Sequence, residues 1–397
     1  MFRRHRFKRR HLKKTTELSI VRLMMAFGFG AIDAVWALYM NSFGLSESTI
    51  GFISAFLVVV SLGTALYSTA VLEKVKEFSI LTISMVITII SYLLIAYFRD
   101  LYFFIFVSII LTIITVFRAE SFGILFRDEA KTKTLNEDEG LMYALLNVGW
   151  LIGPLMAGFV LARYGIPVVF IMSAGFIMIG LLVLLSLRIK YKDKKRESID
   201  KNIKDNLKSY IKSKKLRIPY LVASGVEIWW SLIYIYMPLF IIKSGLGEKT
   251  VGFFLALVTV PLVILEYEAG YFSEKYGFKP FLVAGFFIMG LAALVSFFVS
   301  NIYLIMAVLV VASIGMACVE PLLDSFFFKK VKSKDEEKYY PIFSTSCDVG
   351  SFTGKFLIAG VLIILPTNFA YLTIALLMFF IALISLKIKE NTKYLNT

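Results

Sequence analysis

The chain has 397 residues, 58% of them hydrophobic and 18% charged, with a mean hydropathy of +0.78 and a formal net charge of +15. Soluble domains rarely exceed roughly half apolar residues, so the composition excludes an ordinary soluble globule. The basic surplus is concentrated at the ends of long apolar runs, which points to membrane topology and away from nucleic acid.

Residues 1–17 form a basic tail with eight Lys and Arg. It holds both histidines, His5 and His11, so no histidine relay or histidine metal site is available inside a membrane. The tail reads first as a topology determinant. Its cluster from Phe2 to Arg10 would also suit anionic lipid, at about 1 kcal/mol per basic residue. Twelve apolar spans follow, near 18–40, 50–72, 78–98, 101–127, 141–163, 167–187, 218–242, 250–272, 280–300, 302–328, 341–365 and 367–386. Each can cross a hydrocarbon core of roughly 30 Å as a helix. The first span is too long for a signal-peptide core and lacks a cleavage site, so no cleavable leader is expected. Between the sixth and seventh spans lies 188–217, the most basic stretch. There Ile199, Ile203, Leu207 and Ile211 recur every four residues. That spacing predicts an amphipathic helix in the headgroup region, or equally a tether with one sticky face. The expected organisation is an N-terminal six-helix bundle at 18–187, a linker at 188–217, a C-terminal six-helix bundle at 218–386 and a tail at 387–397.

Of the 43 Lys and Arg, 36 fall on the side of the two tails. Four (Arg99, Arg163, Lys243 and Lys249) fall on the other, and Arg22, Arg118 and Lys355 lie within spans. The positive-inside rule then places both termini in the cytosol of a multi-pass cell-membrane protein. Cys318 and Cys347 fall in different spans, and no disulfide framework is implied.

The two halves repeat. Gly44 to Phe52 (GLSESTIGF) returns as Gly245 to Phe253 (GLGEKTVGF), six of nine residues identical at a shift of 201. The same shift carries Glu73-Lys74 onto Glu274-Lys275, Gly149 onto Gly350 and Gly153 onto Gly354. A period of half the chain means duplicated bundles, and a solute crosses naturally between them.

Charge inside the spans follows a second period. The third, sixth, ninth and twelfth contain no Asp, Glu, Lys or Arg and can face lipid. The first, fourth, seventh and tenth carry Asp33, Arg118 with Glu120, Glu227, and Glu320 with Asp324. Glu266 and Glu268 lie in the eighth, and Asp348 and Lys355 in the eleventh. An ionisable group in a spanning helix costs a few kcal/mol or more unless it meets protein or water, so the first helix of each three-helix unit should face a wet interior. At roughly 1.5 Å per residue, Asp33 and Glu227 fall within about 5 Å of their spans' centres. Trp229, Trp230, Tyr234 and Tyr236 give the seventh span an aromatic wall, to which Trp36 and Trp150 add. It suits a cationic solute as well as core packing.

Three motifs resemble those of the major facilitator superfamily, and the likeness covers essentially the whole chain. After the eighth span, Gly270, Glu274, Lys275, Gly277 and Lys279 resemble the family's loop motif: close helix approach at Gly270, a tight turn at Gly277, and charges that latch the cytosolic side. The first-half counterpart keeps Glu73-Lys74 and lacks both glycines. In the fifth span, Gly149, Gly153, Pro154 and Gly158 resemble the glycine–proline motif of the family's antiporters. Arg118, followed by Glu120, Ser121 and Gly123, resembles the arginine motif of proton-coupled members. The resemblance implies an all-α membrane protein of twelve helices in two pseudo-symmetric bundles, with the first, fourth, seventh and tenth helices lining a cavity.

On that reading Asp33, Glu120, Glu227 and Glu320 are candidates for binding protons or a cationic substrate. Arg118 would modulate them, and Trp229, Trp230 and Tyr234 would form a substrate wall. Burial favours a protonated carboxyl and a nearby guanidinium favours the ionised form, so an arginine that approaches in one conformation couples protonation to rocking. Static pairing of Arg118 with Glu120 or Glu320 is the plainer alternative. Lys355 can pair with Asp348, two turns away on one face, or bind an anion. The expected function is proton-coupled efflux of small amphipathic or cationic compounds by alternating access. The alternatives are uptake of a polar nutrient (sugar, organic acid or amino acid), lipid flipping, and a non-transporting membrane sensor. Partners are then a small solute, protons and membrane lipid, the protein acting as a monomer without cofactor and driven by the proton gradient. No Gly-Lys-Ser/Thr nucleotide loop, His/Cys metal cluster or nucleophile–His set points to an enzyme.

Overall fold

A computed structural model describes residues 13–72, 75–130, 135–187, 203–332 and 335–388. The first-half Glu73-Lys74 pair, His5, His11 and Ile199 lie outside them. Among the described residues the ordered structure is helical, as expected where apolar segments must satisfy their own backbone groups. The first half contains α1 (Lys14–Asn41), α2 (Glu47–Leu72), α3 (Glu77–Tyr97), α4 (Leu101–Glu129), α5 (Leu135–Tyr164) and α6 (Ile166–Ser186). A short α7 (Ile203–Lys212) precedes the second half. That half contains α8 (Lys214–Ser231), α9 (Met237–Lys243), α10 (Glu248–Tyr276), α11 (Phe278–Phe298), α12 (Ile302–Val319), α13 (Leu323–Lys330), α14 (Glu336–Ile364) and α15 (Phe369–Ser385). Eleven helical segments are long and apolar enough to cross a membrane, and α15, at 17 residues, is a shorter twelfth.

The shift of 201 holds helix by helix. It carries α3 onto α11 without remainder, and α2 onto α10 and α5 onto α14 to within a few residues. Two spans are broken. A π turn at Leu232–Tyr236 joins α8 to α9, with the Met237 N–H reaching back to the Leu232 carbonyl. The cause is Pro238, which has no N–H and crowds the carbonyl four residues behind it. A 3₁₀ turn at Glu320–Leu322, containing Pro321, joins α12 to α13.

Within the first half α1 packs on α5 and α6, and α3 on α4 and α6; within the second α8 packs on α14 and α15, and α11 on α12 and α15. Two seams join the halves, α2 against α14 and α5 against α10. The repeat turns one seam into the other. The helices α3, α6, α11 and α15, whose only charges are Glu77 and Lys279 in the first turns of α3 and α11, present exposed apolar stripes, among them Ile83, Ile90, Leu182, Phe287 and Leu383.

Glycine sets the close approaches. A β-carbon on Gly149 would collide with the Ala26 side chain, and one on Gly153 would stand 2.8 Å from the Phe27 carbonyl oxygen. The repeat-related Gly350 abuts the Ser224 carbonyl, and a β-carbon on Gly354 would stand 2.8 Å from Ser231 Oγ. Thus α5 meets α1 as α14 meets α8. At the α5–α10 seam, a β-carbon on Gly158 would lie 2.9 Å from the Gly252 Cα. Gly270 departs from expectation: nothing lies within 4 Å of its would-be β-carbon, because this end of α10 is not covered there. Gly277 does make the expected turn, at φ +87°.

The side bearing α7 and both described chain ends is called the linker side, and its opposite the far side. The far side is closed. Ser48 Oγ donates to the Ala359 carbonyl at 2.7 Å, and Lys243 Nζ donates to Glu47 Oε1 at 2.6 Å and Thr367 Oγ1 at 3.2 Å. Phe52 meets Phe356, and Phe159 meets Phe253, each at 5.3 Å between ring centroids. On the linker side Glu274 and Lys275 are exposed at the end of α10. The linker helix α7 docks by a residue outside the expected stripe: Tyr210 is buried against Leu216, Ala223, Phe327 and Phe343, while Leu207 and Ile211 stay exposed.

Gly153→Val should cost about 1–3 kcal/mol of stability through overpacking, since the neighbouring atoms belong to backbone. Gly270→Ala should stay within about 0.5 kcal/mol of the parent. Thermal unfolding in detergent measures both, and equal effects would refute the packing described.

Candidate functional site

A cavity of about 530 Å³ lies between the bundles. Each contributing helix presents one stripe at helical spacing. From α1 come Arg22, Ala26, Phe29, Asp33 and Trp36, and from α4 Ser108, Leu111, Thr115 and Arg118. The α8–π segment gives Glu227, Trp230, Ser231 and Tyr234, and α14 gives Asp348, Ser351 and Lys355. Ser54 and Ser61 of α2, Tyr92 of α3 and Leu146 and Trp150 of α5 also line it. Asp33 is exposed into this space although its neighbours Ile32 and Ala34 are 3% and 2% exposed.

Arg118 is fixed by uncharged groups. Its Nη1 donates to Thr88 Oγ1 at 3.1 Å, its Nη2 to Thr115 Oγ1 at 3.0 Å, and its guanidinium carbon sits 3.9 Å from the centroid of Phe29. That contact is a cation–π interaction, stronger where water is excluded. Asp33 lies within electrostatic reach of Lys355 and Arg118, and Glu227 within reach of Lys355 and Asp348. Among the described residues, no nitrogen–oxygen approach of 4.0 Å or less joins any of these groups into an ion pair. The Asp348–Lys355 pair reduces to two separate groups opening on one space, and Arg118 is paired with neither Glu120 nor Glu320.

Two of the four expected carboxylates face elsewhere. Glu120 accepts a hydrogen bond from Ser68 Oγ at 2.8 Å on another face of α4. Two residues turn a helix by about 200°, which separates it from Arg118. Glu320 sits on the 3₁₀ turn near Glu266, Glu227 and Trp230, and its Oε2 is buried without a hydrogen-bond partner. The tenth span contributes no cavity-lining residue, because aromatic rings intervene. Trp150 lies 5.8 Å and Trp230 5.4 Å from Tyr234, centroid to centroid. Trp229 is fully buried behind this wall, away from the cavity. Asn147 Nδ2 donates to Glu266 Oε2 at 3.2 Å across the α5–α10 seam.

Sequence reasoning missed Arg22. Its spacing to Asp33, eleven residues or three turns on one stripe, was the available signal. Its Nε is buried without a hydrogen-bond partner, and its guanidinium lies 5.3 Å from the Phe122 ring. Tyr92, Thr88 and Thr115, which support Arg118, carried no such signal.

In a background with both native cysteines replaced by serine, Ser351→Cys should react readily with a charged thiol reagent. Ser313→Cys, fully buried on α12, should react at least roughly ten times more slowly if burial blocks the reagent. Equal rates would mean that the cavity boundary is misdrawn.

The model of the Major Facilitator Superfamily matches residues 18–265 and again 220–395, together most of the chain. An uncharacterized MFS-type transporter of Methanocaldococcus jannaschii is 24% identical over 226 residues, 55% of this chain and 58% of that protein. The chain thus aligns with less than two thirds of that relative. Among solved structures, a D-xylose-proton symporter superposes with a TM-score of 0.77 at 14% identity, covering 96% of this chain and 98% of that one. A POT family transporter in complex with 5-aminolevulinic acid gives 0.77 at 12%, covering 94% and 95%. The nucleoside transporter NupG gives 0.75 at 13%, covering 95% and 100%. At such identities these likenesses carry the fold alone. With the family model matched through both halves, the chain belongs to the Major Facilitator Superfamily of membrane transporters.

Proposed function

We propose that the protein is a proton-coupled secondary transporter of a small polar solute, working by alternating access between two bundles. The observation that carries this reading is the pair Asp33 and Glu227. One comes from each bundle, both open on the same cavity, and neither is neutralised by an ion pair among the described residues. Such groups can take up and release protons as the bundles rock and their exposure to Lys355 and Arg118 changes. One charge moving through 100 mV supplies about 2.3 kcal/mol, enough to bias the cycle. The far-side contacts make this the state closed on that side. The distribution of Lys and Arg supports a cytosolic linker side.

Export was the direction expected from the glycine–proline motif. Gly149 and Gly153 are accounted for by the approach of α5 to α1, and Gly350 and Gly354 serve the other half alike. The glycines therefore select no direction, and a cavity that holds six charged groups among apolar side chains suits a small charged solute. The wall of Trp150, Trp230 and Tyr234 favours a second reading, efflux of amphipathic cations.

Proteoliposomes with an imposed pH gradient test the coupling. Asp33→Asn or Glu227→Gln should reduce gradient-driven accumulation by about tenfold or more, and Asp33→Asn should leave solute exchange at equal pH. If both variants accumulate solute like the parent, neither carboxylate carries the proton. If the parent moves no solute, the sensor reading gains.

A further inference from the structure

Charge in the cleft is divided unequally between the bundles. The first bundle contributes two guanidiniums, Arg22 and Arg118, against one carboxylate, Asp33. The second contributes two carboxylates, Glu227 and Asp348, against one ammonium, Lys355. Their order across the cleft follows from which groups feel one another. Arg118 is within reach of Arg22 and Asp33, Asp33 of Lys355, and Lys355 of Glu227 and Asp348. The cavity is therefore a dipole, cationic toward the first bundle and acidic toward the second, with Asp33 and Lys355 between the poles.

Neither pole is quenched internally. Arg118 takes its hydrogen bonds from the protein through two threonines and a ring, none of which carries countercharge. The buried Arg22 Nε has no hydrogen-bond partner. At the other pole Glu227 and Asp348 lie near each other, two like charges against a single lysine, and the Ser61 hydroxyl that hydrogen-bonds Asp348 brings no countercharge. A solute with one positive charge would satisfy the acidic pole and leave the guanidiniums bare, and a simple anion would do the reverse. Charge-assisted hydrogen bonds at both ends require a molecule carrying both signs.

We propose that the transported solute is a small zwitterion, its anionic group held by Arg118 and Arg22 and its cationic group by Glu227 and Asp348. This rests on the reading of the cleft as the solute's path. A zwitterion bridges the bundles, because its two ends belong to different ones. Its full binding energy is realised when the bundles approach, so it favours the closed cleft over the open one. A singly charged solute engages one bundle and leaves the approach undriven.

Binding to the purified protein tests the class without requiring transport, by thermal shift and calorimetry. The probes are γ-aminobutyrate and dialanine, with butyrate and butylamine as truncated partners and tetraphenylphosphonium as a lipophilic cation. The zwitterions should bind, and each truncated partner should bind at least about tenfold more weakly, as expected for losing one charge-assisted contact. In Glu227→Gln the advantage of γ-aminobutyrate over butyrate should collapse while its advantage over butylamine stays. In Arg118→Gln the pattern should invert, and a misfolded variant would lose both advantages together. Arg22→Gln gives a second reading of the cationic pole should Arg118→Gln fail to fold, and Asp348→Asn a second reading of the acidic pole should Glu227→Gln fail. Failure of both zwitterions to bind the parent, or tighter binding of butylamine or tetraphenylphosphonium, overturns the proposal. Proton coupling can fail in the flux assay while this binding pattern stands, so the two outcomes separate.

Discussion

An ionised side chain carried into hydrocarbon costs a few kcal/mol or more unless water or protein surrounds it. Six such groups line the cleft of this molecule, and its architecture is an answer to that cost. Helices without charge in their membrane-crossing length stand outside with apolar stripes exposed, and α1, α4, α8 and α14 each turn charged groups toward a shared cleft. Arg118 shows how the cost is met locally. Two hydroxyls and an aromatic face hold the guanidinium without cancelling its charge, so it remains available to whatever enters.

Much of this was legible in the chain. The repeat predicts the two halves, and its glycines predict where helices touch, because a residue without a side chain is needed only where backbones meet. Asp33, Glu227, Asp348 and Lys355 could be read because helical spacing puts them on stripes with small or polar residues. The errors have one source: sequence position gives depth along a span but poorly gives rotation about it. Glu120 sits at nearly the same depth as Arg118 and faces away, and Trp229 is buried where the adjacent Trp230 lines the cavity. Glu320 was misplaced for a further reason. Pro321 converts the helix to a 3₁₀ turn there, and extrapolating α-helical rotation through such a break fails.

The broken spans are repeat-related to α1 and α4, which run continuously, so the halves share topology without sharing stiffness. The π turn brings Tyr234 to the aromatic wall and carries Tyr236 to the far-side closure. There its hydroxyl donates to the Lys355 carbonyl at 2.6 Å. Lys355 thereby joins two roles, its ammonium in the cavity and its backbone in the seal. A local widening of one helix links the wall of the site to the contact that shuts it.

At the crossing of Gly158 and Gly252 the two bundles meet through main-chain atoms. Neither glycine lines the cleft, so the shape of the crossing depends little on what does. Under the proposed function, this crossing is a fulcrum that shares no residue with the lining of the cleft. A cleft relined for different cargo would keep the same fulcrum, and a damaged fulcrum would slow every cargo alike.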